Sequence, residues 1–230
     1  MDYEQMNNNK VYLRGKVISK PVFSHEVFDE KFYEINLQVP RLSEFNDVIP
    51  VTVSERFFDT TKFEIGEEIA VKGQFRSYNK QEGNKSKLVL TVFVREICEI
   101  DESLNPNVIE LVGYVCKPPV FRTTPFKREI CDVLLAVNRA YNKSDYIPCI
   151  TWGRNARYVK NFEVGEKIEL TGRIQSREYQ KKVSDDVIEN KVAYEISVTK
   201  ISSSEENVTN DQDGLVIKTN SSKGNFAEAN

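Results

Sequence analysis

Asn107-Val-Ile-Glu-Leu-Val-Gly113-Tyr-Val115 lies over Asn9-Lys-Val-Tyr-Leu-Arg-Gly15-Lys-Val17, 98 residues earlier. The correspondence runs on in order. Pro119-Val-Phe121 lies over Pro21-Val-Phe23, Arg139 over Arg41, Ile147-Pro148 over Ile49-Pro50, and Arg154 over Arg56. Phe162-Glu-Val-Gly165 then matches Phe63-Glu-Ile-Gly66 at an offset of 99, and Ile201 matches Ile97 at 104. Self-similarity of this kind divides the chain before any local pattern does. Two copies of domain size follow: a first domain at 1–106, a second at 107–203, and a tail at 204–230. The tail is rich in Ser, Asn, Asp and Glu, and its composition predicts a disordered acidic segment. The five extra residues of the second copy are expected in a loop between its last two strands.

Within each copy the period is 2. Ile109, Leu111, Gly113 and Val115 alternate in a first strand, with Gly113 marking a bulge or tight bend. Cys131, Val133, Leu135 and Val137 form a second strand, and Asp145-Tyr-Ile-Pro-Cys-Ile-Thr-Trp-Gly153 a third. Arg154 to Phe162 predicts a short helix ended before Gly165, and two further strands follow. The fold class is all-β: two tandem five-stranded Greek-key barrels of the OB type, each with a short helix between strands 3 and 4.

The third strand is unusual. Ile147, Cys149 and Thr151 fall on one face, and Tyr146, Pro148, Ile150 and Trp152 on the other. If the first set lines a core, the second presents two flat rings roughly 20 Å apart on the surface. Rings on an open sheet face suit base stacking. The first copy has Val48 and Ser54 at these two places.

Charge is uneven along the chain. Residues 1–106 hold 14 Lys+Arg against 18 Asp+Glu, net −4; residues 107–203 hold 16 against 12, net +4. In the second copy the bases interleave with rings: Arg139-Ala-Tyr141-Asn-Lys143, Trp152-Gly-Arg154, and Arg177-Glu-Tyr179-Gln-Lys181. Cations follow a phosphate backbone while rings stack bases. The first copy is therefore read as degenerate, structural and oligomerising. Tyr12 and Tyr78 are expected to matter less than Tyr146 and Trp152.

Other classes find little support. No apolar run approaches ~18 residues, and the acidic start is unlike a secretory signal. Cys98, Cys116, Cys131 and Cys149 have no C-x-x-C spacing and read as isolated buried thiols in a reducing compartment. His25 is the sole histidine, so neither a zinc site nor a His-based triad is expected. The carboxylate pairs Asp185-Asp186 and Glu205-Glu206 read as solvated charge, not as a nuclease metal site. No metal, cofactor or catalytic residue is expected, and the protein is not expected to be an enzyme.

The second copy resembles the bacterial single-stranded DNA-binding protein family. The resemblance rests on Asn107 to Gly113, Pro119 with Arg122, and Leu135-Ala-Val-Asn-Arg139. It continues through Asp145 to Gly153 with Ala156, and Gly165-Glu-Lys-Ile-Glu-Leu-Thr-Gly172 through Arg177 to Tyr179. It implies sequence-nonspecific binding of single-stranded DNA in replication, recombination and repair, in a cytoplasmic, nucleoid-associated setting. It also implies stacking by Tyr146, Trp152 and Tyr179, with Tyr141. Arg122, Arg139, Lys143, Arg154, Arg177 and Lys181 are the phosphate-neutralising set. A subset of the family carries two barrels per chain and dimerises to four, so a homodimer is expected. The family's acidic tip ending Ile-Pro-Phe is absent, since this chain ends Gly224-Asn-Phe-Ala-Glu-Ala-Asn230. Recruitment of replication and repair proteins is thereby in question. The competing reading is a primosome or replication-restart scaffold whose barrels bind proteins first and DNA second.

Overall fold

The computed structural model describes residues 7–41, 43–83, 85–184 and 187–203. In the first copy the strands are β1 (Asn9–Val17), β2 (Val22–Val27), β3 (Glu30–Pro40), β4 (Asn46–Ser54), β5 (Glu68–Glu82) and β6 (Lys85–Cys98). In the second they are β7 (Asn107–Val115), β8 (Val120–Thr123), β9 (Glu129–Arg139), β10 (Lys143–Trp152), β11 (Lys167–Ser184) and β12 (Val187–Ser203). A short helix, α1 (Arg154–Val159), follows β10.

Each copy closes on itself. In the second, β7 pairs with β9, β9 with β10, β10 in parallel with β12, β12 with β11, and β11 with β7. The first repeats this circuit as β1, β3, β4, β6 and β5. Closure leaves no edge on these five strands, and the ring with its one parallel contact is the expected OB barrel. Gly113 sits where β7 crosses β9: a Cβ there would lie 2.6 Å from the Ala136 carbonyl oxygen. A side chain cannot fit, and the same holds for Gly15 against Gln38 at 2.5 Å.

Alternation puts Ile109, Leu111 and Val115 of β7, Val133, Leu135 and Val137 of β9, and Ile147 and Cys149 of β10 into the core of the second barrel. Asn9 and Asn107 extend the ladders from their side chains. Asn107 donates to the Ile174 carbonyl at 2.7 Å and accepts from its N–H at 2.9 Å; Asn9 does the same with Phe75 at 2.8 Å each. Burial without such partners would cost the full desolvation of an amide.

Three details differ from the sequence reading. Each barrel has an added short strand, β2 or β8, hydrogen-bonded as a hairpin to β3 or β9. The helix expected in the first copy is a single 3-10 turn, Glu55–Phe57. There Phe58 packs against Tyr33, at 4.9 Å between ring centroids, and against Phe63 at 5.2 Å. The extra residues of the second copy lengthen both arms of a hairpin and are not looped out. β11 and β12 have 18 and 17 residues where β5 and β6 have 15 and 14.

The two barrels join through β1 and β7, which pair antiparallel with Val11 opposite Ile109. Val11 and Ile109 are equivalent positions of the repeat, so an approximate twofold axis passes between them. A single 12-stranded sheet results.

All four cysteines are free thiols, as expected; Cys131 and Cys149 are buried, and Cys98 and Cys116 are half-buried. Burial pushes the Cys131 thiol up to about 11 and raises Cys149 as well. Attack on a disulfide needs thiolate and access. Ellman's reagent at pH 8 is therefore expected to titrate at most two thiols in the folded protein and four after denaturation. Rapid reaction of all four without denaturant would contradict this packing.

Candidate nucleic-acid interface

β10 carries the features expected of it. Asp145, Ile147, Cys149 and Thr151 point inward and are buried. On the other face Tyr146 is 46% exposed and Trp152 38% exposed. Between them Ile150 is buried, so the face is two open rings separated by an apolar saddle.

The register identifies their neighbours, because cross-strand partners share a face. Tyr146 stands opposite Ala136, and so does Tyr114 of β7 from the other side. Tyr114 is 39% exposed. Two rings thus flank one small residue in the row Tyr114, Ala136, Tyr146. At the other end, Trp152 and Arg122 both stand opposite Ile130. The row Arg122, Ile130, Trp152 sets a guanidinium near the indole side of the sheet. Tyr114 was not singled out in the sequence, although its alternation with Ile109, Leu111 and Val115 marks it as outward.

Tyr179 lies further along β11, 38% exposed, with the Arg177 guanidinium 5.8 Å from its ring centroid. It stands opposite Lys191 of β12, whose parallel register with β10 places it toward the Tyr146 end. The rings therefore run Trp152, Tyr146, Tyr179, with the last on a hairpin arm. Tyr141 is 84% exposed on the turn between β9 and β10, in the left-handed region with φ of 60°. It stands apart from the sheet rows.

The cations divide into two kinds. Lys143 at the start of β10 and Arg154 at the start of α1 are exposed to solvent. Three others are already engaged. Arg122 makes two bonds to Asp132, at 2.8 and 3.2 Å, and this pairing holds its guanidinium above its ordinary pKa. Arg177 is 3.6 Å from Glu195. Arg139 reaches inward to the buried Asp145 at 3.4 Å. Each of these would have to share or exchange its carboxylate to meet a phosphate. Lys181 is on β11, but its side chain lies outside the described residues.

Arg139 belongs to a junction that sequence reading missed. Asp145, fully buried, accepts from the Ser77 N–H at 2.7 Å, from Arg76 at 2.9 Å and from Arg139. Asp47, its counterpart in the repeat, accepts from the Ser176 N–H at 2.7 Å, from Arg173 at 3.0 Å and from Arg41 at 2.5 Å. Each aspartate is thus held by one arginine of its own barrel and one of the other. The crossing arginines occupy different repeat positions, because Gln74-Phe-Arg76 lies over Arg173-Ile-Gln175. Within each trio the glutamine oxygen accepts from the arginine, so the exchange preserves the contact. Burial pulls the Arg76 guanidinium below its ordinary value while Asp145 raises it. The Tyr146 N–H also crosses, donating to the Ser77 hydroxyl at 2.7 Å. The ring at one end of the platform is therefore positioned by the first barrel.

Among the described residues, no three His, Cys, Asp or Glu side chains gather where they could hold a metal, and no helix is long and apolar enough to cross a membrane.

The family model described as "Single-strand binding protein family" matches residues 106–204. Single-stranded DNA-binding protein A of Bacillus subtilis is 37% identical over 81 residues, 32% of this chain and 47% of that protein. The single-stranded DNA-binding protein of Clostridium tetani is 34% identical over 83 residues, 33% of this chain and 57% of that protein. The chain spans about half the length of these curated relatives. The wild-type single-stranded DNA binding protein of Thermus aquaticus superposes with a TM-score of 0.61 at 16% identity, over 91% of this chain and 96% of that one. That likeness is one of fold, and it extends over both barrels. The residues that match the single-strand binding protein family are those of the second barrel, and it is that barrel which is similar to the family.

Proposed function

We propose that this protein binds single-stranded DNA without sequence preference, chiefly on the outer face of its second barrel, and catalyses no reaction. The carrying observation is that Tyr146 and Trp152 stand open on one face of a strand whose other face is sealed in the core. Bases stack on these rings, with Tyr114 beside Tyr146 and Tyr179 further along the arm; Tyr141 borders the platform on its turn. Lys143 and Arg154 meet phosphates directly. Arg122, Arg139 and Arg177 contribute after sharing their carboxylates, and Lys181 extends the set along β11. The match of the second barrel to the single-strand binding protein family supports this reading. Nothing on the face resembles a helix for the major groove or an ordered set of base-edge donors and acceptors, so discrimination among bases is not expected. The active assembly is inferred to be a homodimer of four barrels, acting in replication, recombination and repair.

Trp152 is the sole tryptophan, so its fluorescence reports the platform directly. Titration with oligo-dT is expected to quench it, and log affinity to fall linearly with log salt at a slope of about −0.7 per phosphate contact. Unquenched fluorescence at low salt, with the protein folded, would refute the assignment to this face.

A further inference from the structure

The 12-stranded sheet ends at β2 on one side and at β8 on the other. A strand at a sheet edge carries a row of backbone groups without a partner. Which groups these are in β8 follows from its hairpin with β9. The Thr124 N–H donates to the Arg128 carbonyl at 2.9 Å. Antiparallel ladders alternate between bonded and non-bonded pairs. Arg122 with Ile130 and Val120 with Asp132 are therefore the bonded pairs, and Phe121 with Cys131 and Thr123 with Glu129 the others. The Glu129 carbonyl agrees with this, since it turns to β10 and accepts from the Gly153 N–H at 2.9 Å. The N–H and C=O of Phe121 and Thr123 thus face the open edge, where among the described residues no further strand pairs with β8.

The equivalent edge of the first barrel is blunted. A register shift between Phe23 and His25 bulges β2, and Glu26 stands on it. Bulges and charged residues are how natural edges refuse another strand. β8 pairs with β9 from Val120 to Thr123 without a shift, and all 4 of its residues are exposed. The repeat closes one of its edges and leaves the other straight.

Charge differs between the edges in the same sense. Residues 18–31, through β2 and its turn, hold Lys20 and Lys31 against Glu26, Asp29 and Glu30, a net of −1. The matching residues 116–129 hold Lys117, Arg122, Lys127 and Arg128 against Glu129, a net of +3. Lys160, at the end of α1, adds to this, with its ammonium 5.6 Å from the Phe121 ring centroid. The nearby carboxylates are already engaged, Glu129 by Arg157 at 3.5 Å and Asp132 by Arg122 at 2.8 Å. Lys117, Lys127, Arg128 and Lys160 are exposed. Apolar surface accompanies them, since Val120 is exposed and Phe126, on the hairpin turn, is 88% exposed.

From the open backbone groups of Phe121 and Thr123, the unbroken register and the surplus of cations, we infer that β8 is a docking edge for an extended acidic segment of a partner protein, added to the sheet as one further strand. Main-chain bonds hold such a segment, and its side chains fall alternately on two faces. An apolar side chain opposite Phe121 covers that ring, and carboxylates along the segment answer the surrounding lysines and Arg128. A nucleic acid would answer the cations but has no strand to offer the open N–H and C=O groups. The edge is separate from the rings of β10 and does not depend on what they bind.

The test uses the full chain and a fluorescein-labelled acetyl-Glu-Val-Glu-Val-Glu-Val-Glu amide, read by anisotropy at low salt. A companion peptide of the same sequence is N-methylated at every residue, which removes its backbone donors and keeps its charge. Thr123→Pro takes one N–H from the open edge, and proline is tolerated at an edge position whose N–H faces solvent. Lys127→Glu with Lys160→Glu reverses two cations. The parent is expected to bind the peptide, each variant to bind it about tenfold more weakly, and the N-methylated peptide not to bind. Quenching of Trp152 by oligo-dT is expected to be the same in Thr123→Pro as in the parent, which shows that the variant is folded. No binding to the parent, or equal binding of the N-methylated peptide, overturns the inference. So does unchanged peptide affinity in Thr123→Pro with weaker oligo-dT binding in the charge-reversed variant, which would make the cations a phosphate path. A lower sedimentation coefficient for Thr123→Pro without peptide would overturn it by showing that the edge pairs with a second copy of this chain. Tighter peptide binding in Asp211→Asn with Asp213→Asn would do so by assigning the edge to the chain's own acidic tail.

Discussion

Tyr146→Ala combined with Trp152→Ala is expected to weaken binding of oligo-dT by about 2–6 kcal/mol, because each stacked base contributes ~1–3 kcal/mol. Even the low end is roughly thirtyfold, at about 1.4 kcal/mol per factor of ten. Labelled DNA is needed for this titration, since the variant has no tryptophan. Folding should survive, because both rings are open to solvent and the core side of β10 is untouched. Removal of an engaged cation is expected to do less. Arg122→Ala leaves Asp132 unpaired beside the DNA, but both partners are exposed, and such pairs contribute ~0–1 kcal/mol. Loss of less than threefold in the double ring variant, at fixed salt, would show that phosphate contacts alone hold the strand.

That ordering, rings before cations, could be drawn from the sequence only in part. Period 2 in Asp145 to Gly153 separates Tyr146 and Trp152 from Ile147 and Cys149, and the structure keeps that separation. Charge was the weaker guide. Arg122, Arg139 and Arg177 look equivalent to Lys143 and Arg154 along the chain, yet the first three have carboxylate partners brought in from β9, β10 and β12. Those pairings depend on register and leave no local trace.

The short strands escaped for a different physical reason. Alternation appears when one face of a strand is buried, and neither β2 nor β8 has a buried residue. Phe23 and Phe121 are exposed on them, so no hydrophobic period exists to be read. Comparing Ser54 with Trp152 position by position finds a lost ring, although Phe93 stands beside Thr52 and Phe32, buried, stands beside Ser54. Equivalence in a repeat is a statement about backbone, and a surface can be rebuilt from any strand that faces it. By contrast, the twofold relation between the barrels was within reach. Asp47 and Asp145 stand at the repeat offset, each six residues after an arginine, and each is an acid inside an otherwise apolar strand. An acid at such a place must have partners if it is buried.

Asp145→Ala is expected to cost about 3–5 kcal/mol, the penalty of breaking a buried ion pair from one side. The loss has three parts. Arg76 keeps only Gln74 as an acceptor in a buried setting, Arg139 loses its inward partner, and the buried Ser77 N–H is left without its acceptor. Water does not easily replace the carboxylate at the Ser77 N–H, because Asp145 and Ser77 are buried, whereas Arg139 is partly exposed. For a chain of this size the figure corresponds to roughly 6–20 °C in melting temperature. Asp47→Ala should do the same through Arg41, Arg173 and Ser176, because the junction is repeated about the twofold axis. Asp132→Ala removes a surface salt bridge that at 2.8 Å is shorter than either made by Asp145, and is expected to change melting by no more than a few degrees. The comparison separates burial from mere pairing. Because Tyr146 donates to Ser77 across the junction, Asp145→Ala should also weaken oligo-dT binding measured well below its melting temperature, which Asp47→Ala should do less, since Val48 takes the equivalent place and has no ring to offer. If Asp145→Ala melts within 2 °C of the parent, the Asp145 junction adds little to the β1–β7 pairing and the Asp47 junction, and it is not what positions the platform.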